Sequence, residues 1–286
     1  MKQELIEVIK KTIIEAGRIA LASYYQNLDV KIKKDQSVFT EIDLKIEKYI
    51  YQELNDLVFN SIFIGEEDSE ELRVDAKKKL ANKAFAGEYI WAIDPIDGTT
   101  NYLCHFADFT ISIGLLKKGI KGFKPFLGFI YKPCHDKLYY TDGEHAYLVI
   151  NASKKGKKTK INPFLFSKND FLHQIFVIDS TRIGKYDLKN FRHVRALGGM
   201  AEQIASVAAG EAMATVIHAH LWDVAAGLAI AQVNDIFIYD FDSGQRVEEF
   251  ILSDFVFSEK LSWVIKKDYL LVNEKMRELF IKEVKK

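Results

Sequence analysis

The chain has 286 residues, 48% of them hydrophobic, with 40 basic side chains set against 40 acidic ones. That length buries a substantial core, as one large domain or two intimately packed ones, and the zero net charge excludes the basic surplus that marks nucleic acid or an anionic membrane as the main partner. Two cysteines, Cys104 and Cys134, are too few for a disulfide scaffold and lack the spacing of a zinc site, and without a signal-like stretch or a run of ~18 apolar residues the expectation is a cytoplasmic protein that handles a small ligand.

Leu5, Val8, Ile9, Ile13, Ala16 and Ala20 recur at helical spacing, and Ile42, Ile46, Tyr49, Ile50, Leu54 and Leu57 repeat the pattern, which predicts two packed helices at the start. Short β-branched and aromatic runs follow at 62–64, 89–93, 109–116, 126–131, 137–140 and 146–150. Turn pairs such as Lys118-Gly119, Lys121-Gly122 and Asp142-Gly143 separate them, so this region reads as a meandering sheet. Residues 151–160 carry five lysines and almost no large apolar group, the mark of a solvated loop. The stretch 151–170 is the expected boundary between an N-terminal α+β half, 1–150, and a C-terminal α/β half, 151–286. In the second half the pattern predicts strands at 175–179 and 236–239, helices at 200–209 and 223–231, and a closing charged helix at 267–282.

The chemistry concentrates in acidic residues. Asp94 and Asp97 follow the run 89–93, and Pro95 between them removes a backbone donor and fixes φ, so the strand is expected to stop at Ile93 and leave both carboxylates in a stiff turn. Gly98 permits unusual dihedrals, and Thr99-Thr100-Asn101 can open a helix whose free N–H groups face an anion. Clustered carboxylates are driven to protonate unless a cation compensates them. Oxygen ligands without His or Cys select magnesium, manganese or calcium over zinc, and a phosphate argues for magnesium. Two such ions ~3.5–4 Å apart can stabilise the entering and leaving oxygens of an in-line displacement. Other acidic pieces have plain structural readings when taken alone. Gly65-Glu66-Glu67, followed by Asp68, Glu70 and Glu71, is an acidic turn, Thr40-Glu41-Ile42-Asp43 is a helix-capping box, and Trp222-Asp223 is a core aromatic beside a helix start.

Together, Ile64-Gly65-Glu66-Glu67, the string from Trp91 through Asp94-Pro95-Ile96-Asp97-Gly98-Thr99-Thr100-Asn101 to Tyr102, and Trp222-Asp223-Val224-Ala225-Ala226-Gly227 resemble the inositol monophosphatase family of lithium-sensitive phosphatases. Gly128 to Pro133 and Gly198 to Gly210 extend the likeness over most of the chain. The resemblance implies an α+β / α/β fold, a layered αβαβα sandwich of the inositol monophosphatase / fructose-1,6-bisphosphatase type. It also implies a magnesium-dependent phosphomonoesterase that uses metal-activated water. By position, Glu66, Asp94 and the carbonyl of Ile96 would hold one metal, and Asp94, Asp97 and Asp223 a second. A third, looser ion near Glu66 brings the count to two or three Mg2+, with Mn2+ as a substitute. Asp43, 23 residues before Glu66, would pair with Thr99 to orient and deprotonate the water, which makes Thr99, Asp43 and Glu66 the catalytic set, with Glu67 behind them. Gly98, Thr99 and Thr100 would contact phosphate oxygens.

Gly198, Gly199, Met200 and Val216 would form the substrate wall. Val216 stands seven residues before Asp223, where inositol-selective members carry a glutamate that binds ring hydroxyls. An apolar side chain there forfeits a hydrogen bond of ~0.5–1.5 kcal/mol. Inositol monophosphate, a related sugar phosphate, 3′-phosphoadenosine 5′-phosphate, fructose 1,6-bisphosphate and histidinol phosphate therefore all stay open as substrates, with inorganic phosphate as a product. His218 and His220 read as structural histidines beside an apolar run. The resemblance also implies lithium inhibition and a homodimer. A role as a binder of RNA or of the transcription machinery is disfavoured by the balanced charge and by the complete acidic set.

Overall fold

In the computed structural model, which describes residues 2–26, 29–33, 38–67, 72–154, 156–163 and 174–284, the two opening stripes form α1 (Lys2–Ser23) and α2 (Glu41–Leu54). Ile6, Ile9, Ile13, Ala16 and Ala20 of α1 and Ile42, Ile46, Ile50 and Leu54 of α2 are buried in one cluster, while Leu57 lies beyond the second helix and is exposed. A short hairpin, β1 (Lys31–Ile32) and β2 (Val38–Phe39), connects them. Asp68, Glu70 and Glu71 of the acidic turn, and 155 and 164–170 of the expected boundary, lie outside the described residues.

The meander is a seven-stranded sheet. It contains β3 (Ser61–Gly65), β4 (Tyr89–Asp97), β5 (Thr110–Lys118), β6 (Phe123–Lys132), β7 (Lys137–Thr141), β8 (Ala146–Ile150) and β9 (Lys157–Lys160), in that spatial order. Only β3 and β4 pair in parallel, across α3 (Val74–Ala86), and α4 (Thr99–Leu103) follows β4 directly. The lysine-rich segment is thus not wholly a loop. Four of its residues pair with β8 as the sheet's last strand, fully exposed, and lysines on a free edge discourage pairing with another chain.

The second sheet has the order β11 (His193–Arg195), β10 (Ile175–Val177), β12 (Ala214–Ile217), β17 (Tyr269–Asn273), β13 (Ile236–Asp240) and β14 (Arg246–Val247). A small hairpin, β15 (Phe255–Val256) and β16 (Val264–Ile265), stands apart from it. Here the expected closing helix at 267–282 is corrected. Residues 269–273 form an interior strand between β12 and β13, and only α7 (Arg277–Glu283) is helical after a 3-10 turn. All five β17 residues are buried, and Leu270, Leu271 and Val272 form a continuous apolar run, as a strand covered on both faces requires.

Between the sheets lie α5 (Met200–Ala208) and α6 (Leu221–Gln232), so the order of layers is αβαβα. One cluster joins α1 and α2 to the outer face of the first sheet. A second joins that sheet's other face to α5 and α6, and a third covers the far face of the second sheet with Phe280 of α7. α6 is apolar all round, the composition of a helix with no solvent face. Its Ala225 and Ala226 press against glycines of the sheet: a Cβ on Gly114 would lie 2.6 Å from Ala225 Cβ, and one on Gly128 would lie 2.0 Å from the Ala226 carbonyl oxygen. Among the described residues no helix is long and apolar enough to cross a membrane.

Gly128→Ala sets a methyl group against main chain that has no rotamer to change. Overpacking of this kind costs roughly 1–3 kcal/mol, and each kcal/mol lowers Tm by about 2–4 °C in a chain of this size class. A thermal melt of Gly128→Ala that superimposes on the wild type would show that α6 does not depend on this contact.

Candidate active site

Pro95 does not end its strand. Asp94 lies opposite Ser112 and Asp97 opposite Thr110, so three steps along β4, 94 to 97, match two along β5, 112 to 110. This β-bulge absorbs the missing donor. Without it, positions three apart on a strand would face opposite sides of the sheet. With it, Asp94 and Asp97 are both buried and share one place with Asp223 in the first turn of α6: oxygens of the three carboxylates lie within 4.8 Å of one another. The seat of α6 brings Asp223 there, and the Ser112 hydroxyl donates to the Trp222 carbonyl at 3.3 Å.

Backbone groups hold two of these acids. Asp97 accepts from Met200 N at 2.8 Å and Glu202 N at 3.2 Å, both in the first turn of α5, and from the Thr110 hydroxyl at 3.1 Å. Asp223 accepts from His220 N at 2.9 Å, and the His220 ring stacks on Trp222 with centroids 4.6 Å apart. Asp94 is different. Its Oδ1 is buried and meets no donor among the described residues, a costly arrangement for an oxygen that something else does not complete.

Glu66 and Glu67 stand next to this group and share a cation that the sequence reading missed. Lys33 Nζ lies 2.6 Å from Glu66 Oε1 and 2.9 Å from Glu67 Oε1, and its side chain is only 6% exposed. Nothing in its spacing distinguishes it from Lys31 and Lys34 around it. Glu67 N donates to Glu47 at 3.0 Å. The expected Thr99–Asp43 pair is not formed here. Asp43 is the third residue of a capping box and accepts from Thr40 N at 2.8 Å and the Thr40 hydroxyl at 2.7 Å, while the Thr99 hydroxyl donates to the Ile96 carbonyl at 3.0 Å. The capping box satisfies Asp43 locally, and the threonine finds the nearer acceptor at the strand end.

Gly98 caps α4 in the left-handed region at φ 86°, a conformation suited to glycine, and Thr99 and Thr100 follow as the partly open first turn. Asn101 clips this turn to the next segment, donating to the Asp108 carbonyl at 2.5 Å and the Leu197 carbonyl at 2.8 Å. Two of the wall residues prove to be spacers. A Cβ on Gly199 would lie 2.3 Å from Asp97 Oδ2, and one on Gly198 2.4 Å from the Asn101 amide. Met200 donates its N–H to Asp97. Val216 is not at a wall at all: it is fully buried beside Phe176, Ile178 and Leu270 in the third cluster, because alternation along β12 turns it to the face covered by α7. His218 pairs with Asp268 at 2.8 Å.

The carboxylates raise one another's proton affinity. Burial, then Glu66, Asp97 and Asp223 hold Asp94 well above the ordinary aspartate range. Burial and Asp223 raise Asp97, burial and Glu66 push Glu67 up to about 9, and burial and Glu66 push Asp43 up to about 6. Glu66 and Asp223 therefore act on the same group, Asp94. Acids raised in the folded state stabilise it below their unfolded pKa of ~4, and that contribution is lost as pH rises through the folded values. Chelator-treated protein should melt at a lower temperature at pH 9 than at pH 7, and a divalent cation should narrow the difference. Thermal melts at the two pH values check this, and a chelated protein that melts higher at pH 9 would contradict it.

The sequence and the fold have counterparts among known proteins. The family model described as the inositol monophosphatase family matches residues 1–235. An inositol-1-monophosphatase of Bacillus subtilis is 30% identical over 235 residues, 79% of this chain and 82% of the relative. A fructose-1,6-bisphosphatase/inositol-1-monophosphatase of Aquifex aeolicus is 28% identical over 242 residues, 80% of this chain and 82% of its own. Among solved structures, the IMPase of Thermotoga maritima superimposes with a TM-score of 0.72 at 22% identity, covering 97% of this chain and 95% of that one, and so shares the fold. With the match spanning both the bulged aspartate pair and the helix that carries Asp223, the chain belongs to the inositol monophosphatase family and is a hydrolase of phosphoric monoesters.

Proposed function

We propose that this chain is a magnesium-dependent phosphomonoesterase that hydrolyses inositol monophosphate or a related sugar phosphate, working across the two halves 1–150 and 151–286 as a cytoplasmic homodimer. The observation that carries the reading is the carboxylate cluster of Asp94, Asp97 and Asp223, one oxygen of each within 4.8 Å of the others, together with a buried Asp94 Oδ1 that meets no donor among the described residues. Three hard oxygen donors with no His or Cys fit Mg2+, and Mn2+ as its substitute. Asp94, Asp97 and Asp223 would hold one ion, and Glu66, Asp94 and the Ile96 carbonyl another, with a third, looser position near Glu66. Metal ions held by these residues would supply positive charge to phosphate oxygens and acidity to water.

The remaining work falls to the chain's own groups. Gly98, Thr99 and Thr100 present the open turn of α4 to phosphate oxygens. Thr99 and Asp43, beside Glu66, guide the proton of the attacking water. For that role the Thr99 hydroxyl leaves the Ile96 carbonyl, its acceptor here, and Asp43, raised to about 6 by burial and Glu66, sits near the range where a base is effective.

The leaving group is less tightly specified. Val216 is sealed in the core, and neither it nor Ile217 supplies an acid for ring hydroxyls. This favours a second reading in which the same centre takes fructose 1,6-bisphosphate or 3′-phosphoadenosine 5′-phosphate, and the double name of the Aquifex relative supports the first of these. Binding of RNA or of the transcription machinery as the main function has only the resemblance to the family behind it.

Purified protein assayed with Mg2+ should release inorganic phosphate from inositol 1-phosphate or one of these alternatives, lose activity to a chelator, and be inhibited by lithium. Asp94→Asn should lower kcat more than about 100-fold, since even partners behind a metal ligand cost 10–100-fold. Full activity in Asp94→Asn, or in chelated enzyme, would remove the metal reading.

A further inference from the structure

Lys132 ends β6, and Glu202 lies in the first turn of α5, where all nine helix residues are buried. Their charged groups are in direct contact, with side chains 12% and 3% exposed. Glu202 Oε2 is buried and meets no donor among the described residues, so Lys132 is the cation that compensates this acid. Lys132 Nζ also lies 3.4 Å from Asp108 Oδ1, in the loop that leads into β5, and that oxygen lies 3.1 Å from His135 Nε2. One lysine thus ties the end of β6 to α5 and to the approach of β5.

The donors that hold Asp97 come from those same two elements: the N–H groups of Met200 and Glu202 from α5, and the hydroxyl of Thr110 from β5. These donors can meet the carboxylate together only if α5 and β5 keep a fixed separation. Glu202 supplies its N–H to Asp97 and its side chain to Lys132, so the residue that grips the acid is itself gripped from behind.

We propose that Lys132 and Glu202 are a positioning pair for the Asp97 carboxylate, locking the first turn of α5 against the start of β5. The inference rests on the reading that Asp97 helps to hold a divalent cation. A pair kept only to cancel charge tolerates apolar replacement of both members. A pair that fixes geometry does not, because its loss lets the donors drift from the ligand.

Calorimetric titration with Mg2+ decides between these. Lys132→Met and Glu202→Gln change the net charge in opposite directions. Positioning requires both to weaken Mg2+ binding by about 10–100-fold, the range for groups that orient metal ligands, and requires Lys132→Arg to keep wild-type affinity. The double variant Lys132→Met/Glu202→Leu, which leaves no lone buried charge, should fold and bind as weakly as the single variants. It decides the matter if a single variant fails to fold. Tighter binding in Lys132→Met with weaker binding in Glu202→Gln means that the pair acts through charge, and overturns the proposal. So does wild-type affinity in the double variant. Wild-type protein that takes up no Mg2+ overturns the reading of the site itself, whereas wild type that binds, with variants indistinguishable from it, overturns the positioning role alone.

Discussion

The structure depends on holding three carboxylates where they repel one another. At an effective dielectric constant near 20, two unit charges 4 Å apart repel by about 4 kcal/mol, and Asp94, Asp97 and Asp223 place their oxygens within 4.8 Å in a buried setting. Left to itself such a group separates or protonates. The surrounding fold denies it the first course by bringing the acids from a bulged strand and a helix that has no freedom to withdraw. A family whose chemistry is the hydrolysis of phosphoric monoesters has a use for that confinement, because a cation held there would relieve it and attract a phosphate.

The confinement is built in steps. Gly114 and Gly128 let α6 approach the sheet at van der Waals distance, which sets the depth of Asp223. The bulge at Pro95 places Asp94 and Asp97 on one face. Gly199, with no room for a Cβ, brings the start of α5 onto Asp97, and Asn101 clips the segment before it to the turn after β4. Each step lies in a different part of the chain, yet all bear on a space a few ångströms across.

Much of this was legible in the sequence, and the reasons differ from element to element. The opening helices are readable because Ile9, Ile13, Ala16 and Ala20 repeat with one period along the buried face of an otherwise polar helix. The acids were readable because the spacing of Asp94, Pro95, Asp97 and Gly98 is dictated by chemistry rather than by packing. β17 is hidden in the sequence because a strand covered on both sides loses its alternation, and the charged residues that follow it suggest a helix face. Pro95 alone predicts a strand end, because the bulge that accommodates it forms only against the partner strand. The distance of Val216 from Asp223 along the chain suggests a place at the site, but the pleat decides which face it occupies. Lys33 carries no local signal, since its partners Glu66 and Glu67 lie more than thirty positions away and meet it only through the fold.

The two sides of the site are secured by different means, and this governs how each responds to substitution. Asp97 and Asp223 are held largely by main-chain N–H groups at helix starts. Such donors survive a change of their own side chains and fail only when a helix moves. On that side, sensitivity therefore falls on residues far from the chemistry, the glycines beneath α6 and the side chains that seat α5. Glu66 and Glu67 are instead bridged by the ammonium group of Lys33, the residue after β1, so among the described residues a side chain supplies the electrostatic compensation there. The rigid side follows from the layered architecture as a whole. The other side follows, among the described residues, from an ion pair between side chains.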